Sequence, residues 1–178
     1  MIQNTFDKSL KYALIERERK FLIQPNQDLI KKLPFKTITD HYINNTFLRF
    51  RKVKDELGFV YKLTKKVPTD SFDKLLITTI YLSDTEYEIL NSFHSVLIEK
   101  IRYIKKAGGF MIGIDIYIKG SDVLWMAEIE FDSDEDMTSF KMPLKHIKEV
   151  TGNPDFSGYE LAKRFGIVKK ALAMQSDF

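Results

Sequence analysis

An α+β fold is predicted, dominated by strands, because eight segments alternate apolar and polar residues with a period of two while helix-start chemistry appears only three times. Glycine supports this reading. There are only 8 in 178 residues, and several fall where neighbouring strands need tight turns. Eight strands are also enough for a closed barrel to hold one small ligand.

In chain order the strands are expected at 12–23, 37–43, 46–54, 58–66, 74–82, 97–106, 110–118 and 123–131. Gly58 and the pair Gly108-Gly109 supply the positive φ that hairpin turns require. Ser83-Asp84-Thr85-Glu86 has capping-box spacing and opens a helix to about Phe93. Ser133 with Asp136 starts a shorter one. A last helix begins near Ser157 and reaches Phe165, where Gly166 is a natural stop. At 44% hydrophobic and 30% charged the chain can bury a core, and no Pro-rich or Ser/Gly-rich stretch divides it, so residues 1–178 read as one domain.

Composition also excludes function classes. With no cysteine there is no disulfide scaffold, thiol catalysis or cysteine-ligated metal. Twenty-eight Lys and Arg against 25 Asp and Glu give +3, too little and too evenly mixed for a nucleic-acid surface. Neither a signal-peptide run in Met1 to Lys20 nor a span of about 20 apolar residues is present, so a cytoplasmic protein is expected.

The charges are sorted by strand. Glu16, Glu18 and Lys20 share one face at about 6.6 Å intervals. Arg49 and Arg51 share another, as do Lys62, Thr64 and Lys66, and Lys100 with Arg102. Asp115 lies opposite the isoleucines of 112–118, and Glu128 with Glu130 opposite Trp125, Ala127, Ile129 and Phe131. A solvated sheet face would mix signs along each strand; here glutamates gather on two strands and cations on three others.

If these faces point inward, one cavity holds seven cations and five anions: Lys20, Arg49, Arg51, Lys62, Lys66, Lys100 and Arg102 against Glu16, Glu18, Asp115, Glu128 and Glu130. Unpaired buried charge costs several kcal/mol per ion, so such a cavity calls for a ligand. The carboxylates, without His or Cys, suit Mg²⁺ or Mn²⁺. Guanidinium forks suit phosphate oxygens, and a triphosphate of about −4 or −5 balances the cations and metal together. In so crowded a positive cavity, removing one cation, as in Arg51→Ala, is expected to relieve repulsion without unfolding the protein.

Glu16-Arg17-Glu18-Arg19-Lys20 is similar to the E-x-E-x-K signature of the CYTH superfamily, the triphosphate tunnel metalloenzymes. The resemblance continues in the family's order through Leu48-Arg49-Phe50-Arg51, Leu63-Thr64-Lys65-Lys66, Lys100-Ile101-Arg102-Tyr103, Ile114-Asp115-Ile116 and Ala127-Glu128-Ile129-Glu130. It ends with the tail Glu149 to Pro154, spanning about 12–162. It implies an eight-stranded antiparallel closed barrel, open at both ends, that binds a triphosphate and divalent metal. Members hydrolyse inorganic tripolyphosphate, thiamine triphosphate or RNA 5′-triphosphates, or cyclise ATP as class IV adenylyl cyclases, and homodimers occur among them. By motif, Glu16, Glu18, Asp115, Glu128 and Glu130 resemble metal-side carboxylates, and Lys20, Arg49, Arg51, Lys66, Lys100 and Arg102 resemble phosphate ligands. Lys62 joins the latter from strand parity alone. The implied activity is a metal-dependent triphosphatase, with Glu16, Glu18, Lys20, Arg51 and Glu130 at its catalytic centre. A class IV adenylyl cyclase and a non-catalytic triphosphate- or polyphosphate-binding module are the alternatives. A small-molecule triphosphate is the expected partner, with no nucleic acid or membrane.

One departure stands out. Leu76 to Leu82 lacks the acidic residue that many hydrolytic members carry on the equivalent strand. His41, His94 and His146 show no ligand spacing and read as structural or surface groups.

Overall fold

The computed structural model describes residues 11–170; the outer parts of the 1–178 domain lie outside the described residues. Eight strands, β1 (Leu14–Ile23), β2 (Phe35–Ile43), β3 (Leu48–Asp55), β4 (Gly58–Pro68), β5 (Lys74–Leu82), β6 (Ser95–Ala107), β7 (Phe110–Lys119) and β8 (Asp122–Phe131), agree with the expected segments to within a few residues. They pair in the order β6-β2-β3-β4-β5-β1-β8-β7, and β7 returns to β6, so the antiparallel sheet closes on itself. Alternation therefore sorts side chains into an inside and an outside rather than into core and water.

Helices α2 (Asp84–Asn91), α3 (Asp134–Ser139) and α4 (Gly158–Phe165) begin where their caps predicted. Ser83 and Glu86 form a reciprocal capping box, while the Ser133 and Ser157 side chains accept from Asp136 and Glu160 backbone N–H groups. Helix α2 stops at Asn91, two residues short of the expected Phe93.

Four short elements go beyond the expected ones: α1 (Gln27–Ile30), β9 (His146–Glu149), a 3-10 turn (Pro154–Phe156) and β10 (Ile167–Lys169). β9 pairs with the end of β1, and β10 with Ser95 to Leu97 of β6. Each adds to a barrel strand that outruns one neighbour. Elements of three or four residues, with β9 exposed throughout, are too short to show a period.

The larger core lies outside the barrel. Ile112, Ile114, Trp125, Ala127 and Ile129 on the outer faces of β7 and β8 pack with Ile30, Met137 and Phe140 from α1, α3 and the segment after it. A second cluster sits at one end of the barrel. There, Leu161, Ala162 and Phe165 of α4 lie against Val96, Ile98, Tyr117 and Met126, which share the inward parity of their strands. That end is filled by side chains, whereas the resemblance implied a tunnel open at both. Among the described residues no helix is long and apolar enough to cross a membrane.

Candidate functional site

The inward faces enclose a cavity of about 560 Å³. All seven expected cations line it, as do Glu16, Glu18, Glu128 and Glu130. Asp115 is also inward but lies behind the wall, fully buried beneath two cations.

Lys100 and Arg102 of β6 converge on Asp115. Lys100 Nζ donates to Asp115 Oδ2 at 2.5 Å and to the Tyr117 hydroxyl at 3.2 Å. Arg102 donates to both Asp115 oxygens, from Nε at 2.6 Å and Nη2 at 2.5 Å, and reaches on to Glu128. Its side chain crosses β7 over Gly113, where an added Cβ would meet Arg102 Nε at 3.1 Å; a side chain there would crowd that path. Burial alone raises the Glu128 carboxyl, but the charges of Lys100, Arg102 and Lys20 outweigh it and hold the group well below its ordinary range. Burial and the neighbouring Arg102 charge together lower Lys100.

A second group lies on β2 and β3. Asp40, directly opposite Arg51 in register, accepts from Arg51 Nε at 2.5 Å and Nη2 at 2.8 Å. Arg49 Nε is 3.6 Å from the same carboxylate and is the one buried side-chain donor without a hydrogen-bond partner among the described residues. Burial would raise Asp40, yet Arg51 and Arg49 hold it far below its usual value.

The third group is acidic. Glu18 faces Glu130, and Lys20 faces Glu128, across β1 and β8. Like charges directly opposite destabilise a sheet unless a cation intervenes. Lys20 bridges to Glu18 at 2.9 Å and Lys66 to Glu16 at 2.5 Å. Glu130 makes no ion pair among the described residues. Glu16 is raised by its burial; Lys66 opposes this, and the charges of Glu18 and Glu130 add to it.

A divalent cation fits this donor chemistry: three carboxylates, with Glu16 raised in part by the charges of the other two, and no competing soft ligand. They do not converge into a formed metal site among the described residues, because Glu16 and Glu18 turn toward lysines. Asp115 and Glu128, expected on the metal side, instead neutralise Lys100 and Arg102.

Lys62 borders the cavity with its ammonium 5.0 Å from the Tyr81 ring centre. On β5, where the acidic residue is missing, the wall is made by Leu75, Ile77 and Thr79, the last hydrogen-bonded to Thr64 at 3.0 Å. Sequence reading missed Asp40, Tyr42, Tyr117 and Tyr159. For Asp40 a signal existed: aspartate is depleted in strands, so one at the centre of 37–43 asks for a buried partner. His41 is structural, stacked on Phe50 at 4.3 Å. Lys163 pairs with Glu160 on the outer side of α4, away from the cavity lining.

No family model matches the chain, and no curated protein matches it. Solved structures do. An inorganic triphosphatase aligns with 83% of this chain and 93% of its own, at 22% identity and a TM-score of 0.52. A conserved hypothetical protein of Pyrococcus furiosus covers 69% of this chain and 83% of its own, at 23% identity and a TM-score of 0.51. A Pyrococcus horikoshii protein covers 69% and 82%, at 19% identity and a TM-score of 0.50. At these identities the likeness is one of fold, and the chain shows the closed eight-stranded antiparallel barrel that the motifs implied.

Proposed function

We propose that this chain is a divalent-metal-dependent triphosphatase acting on inorganic tripolyphosphate or a small organic triphosphate. The observation that carries the reading is the convergence of seven cationic side chains from β1, β3, β4 and β6 on one cavity that also holds an acidic cluster. The fold shared with an inorganic triphosphatase supports it.

In this reading Arg49, Arg51, Lys100 and Arg102 hold the phosphate oxygens and offset the charge that spreads over them as the anhydride breaks. Lys20 and Lys66 leave Glu18 and Glu16 for the incoming phosphate, which frees both carboxylates. Lys62 steadies the chain at the cavity edge. Glu16, Glu18 and Glu130 would hold Mg²⁺ or Mn²⁺, which supplies Lewis-acid polarisation of a phosphoryl oxygen. Asp115 and Glu128 keep the β6 cations in place. The filled end beneath α4 limits how far a ligand can travel and keeps water from that side.

The test is phosphate and cyclic-nucleotide release from a panel of triphosphates, with Mg²⁺ and Mn²⁺ each present and absent. Metal-dependent phosphate release from tripolyphosphate or an organic triphosphate is expected. Glu130→Gln is expected to lose that release while keeping the fold and most of the triphosphate affinity. Cyclic AMP formed from ATP would replace the hydrolase by a cyclase. Tight triphosphate binding without turnover of any substrate would leave a binding module, and wild-type turnover that survives exhaustive chelation would remove the metal.

A further inference from the structure

Asp40 stands apart from the acidic cluster. It lies on β2, between β3 and β6, and none of its contacts is with Glu16, Glu18 or Glu130. Its side chain is 3% exposed, and both oxygens are spent on one guanidinium edge, the Nε and Nη2 of Arg51. The inward parity of β2 is unbroken from Phe35 to Ile43, so Asp40 cannot turn away from the cavity without breaking the sheet.

Stability alone gives a weak reason for such a group. A buried ion pair is often no better than an apolar pair of the same volume. Its distinct property is direction. A carboxylate that takes two N–H bonds in parallel fixes the plane of a guanidinium, which a single contact or a point charge does not. Of the five N–H donors of Arg51, two are consumed on Asp40, and the remaining three are held at a set angle. Arg49 Nε, 3.6 Å from the same carboxylate, is drawn to the same point without a completed hydrogen bond.

Resting on the triphosphatase reading, we propose that Asp40 is a positioning residue: it locks the Nε–Nη2 edge of Arg51 so that the opposite edge is preset toward the transferring phosphoryl group. Asp40 touches neither phosphate nor metal. Its contribution is to orient Arg51 before the substrate arrives, where reorientation would otherwise cost part of the stabilisation of the transition state.

This separates two quantities that a structural role would move together. Asp40→Asn keeps the volume and removes one negative charge from a cationic cavity, so tripolyphosphate affinity is expected to hold or tighten. Turnover is expected to fall by about tenfold or more, because the freed guanidinium settles on the ground state. In an Arg51→Lys background, where no fork exists to orient, Asp40→Asn is expected to change turnover little. Should Asp40→Asn fail to fold, Asp40→Glu retains the neutralising charge but displaces the fork, and the same loss of kcat without loss of affinity is expected.

The measurements are kcat, tripolyphosphate Kd by calorimetry, and nitrogen-edited NMR of arginine side chains. In the wild type the Arg51 Nε–H is expected to exchange slowly, and in Asp40→Asn quickly. Unchanged kcat in the folded variant, loss of affinity in step with kcat, or a fast-exchanging Arg51 Nε–H in the wild type would each overturn the proposal. A wild type that binds no tripolyphosphate would fell the proposed function instead, and the NMR signal would still decide whether Asp40 fixes Arg51.

Discussion

Arg51 shows how one contact reverses an expectation. As one cation in a crowded positive face, its removal looked harmless to stability. With both oxygens of a buried carboxylate bound to it, Arg51→Ala leaves Asp40 without its principal partner; Arg49 Nε at 3.6 Å and the charge of Lys100 remain, neither of them hydrogen-bonded to it. Orphaning one member of a buried pair typically costs roughly 3 kcal/mol or more. Arg51→Ala is therefore expected both to slow turnover by about 10²-fold and to shift the urea midpoint downward. A midpoint at or above that of the wild type would mean that the cavity is solvated enough to neutralise Asp40 unaided. The same logic separates the acidic residues. Glu128 and Asp115 carry the same charge as Glu130, yet the first two are each bound to both β6 cations and the last faces the cavity without an ion pair among the described residues.

Among the elements, α4 has the most specific task. Ser157 caps it, the Gly166 N–H donates to the Ala162 carbonyl at its end, and the amphipathic stretch between them buries Leu161, Ala162 and Phe165 on the barrel's apolar end. Gly158 is required at its first turn, because a Cβ there would overlap the Tyr42 hydroxyl. Leu161 is 1% exposed, and Leu161→Ala is expected to cost about 2–5 kcal/mol, read from urea unfolding. The same variant opens a void at the closed end, so faster quenching of the single tryptophan is not expected: Trp125 sits on the opposite face of β8. The contrasting case is β9, a strand defined only by its place beside β1. Its four exposed residues hold no pattern, and Arg19 secures the region by a bidentate contact to Glu149.

For the whole molecule, the buried charges set a pH profile. His41 donates or accepts at Ser95 Oγ and the Tyr87 hydroxyl, and burial pushes it down to about 4 from its ordinary 6.5. The unfolded chain takes up that proton first, so this part of the stability is complete above pH 6.5 and is lost as the pH falls toward 4. Glu18, Asp40 and Glu128, all held below their ordinary values, keep their contributions above about pH 4.5 and lose them only at lower pH. Glu16, raised, opposes them: its protonation relieves repulsion as the pH falls. The melting temperature is expected to decline in two stages on acidification, and His41→Phe to remove the first. A single decline beginning below pH 4.5 in the wild type would show that His41 titrates freely.

Much of this was legible in the residues themselves. Strand period is a local property, so eight segments, their inward charges and the helix caps could be read from side-chain order alone, and parity placed Lys62 correctly on the cavity. Partnership is not local. Asp40 meets Arg51 across 11 positions, Lys100 meets Asp115 across 15 and Arg102 meets Glu128 across 26, each through a register that exists only once the sheet has closed. Counting charges on inward faces therefore found the cavity and its excess of cations, but it could not say which carboxylates pair with arginines and which, like Glu130, make no ion pair among the described residues. Nor could it foresee the filled end, since Val96 and Met126 become a floor only when α4, which begins 32 residues after Met126, packs beneath them. The amino-acid order determined which side chains face inward; closure of the barrel decided what each of them faces, because electrostatic pairing depends on distance in space and not along the chain.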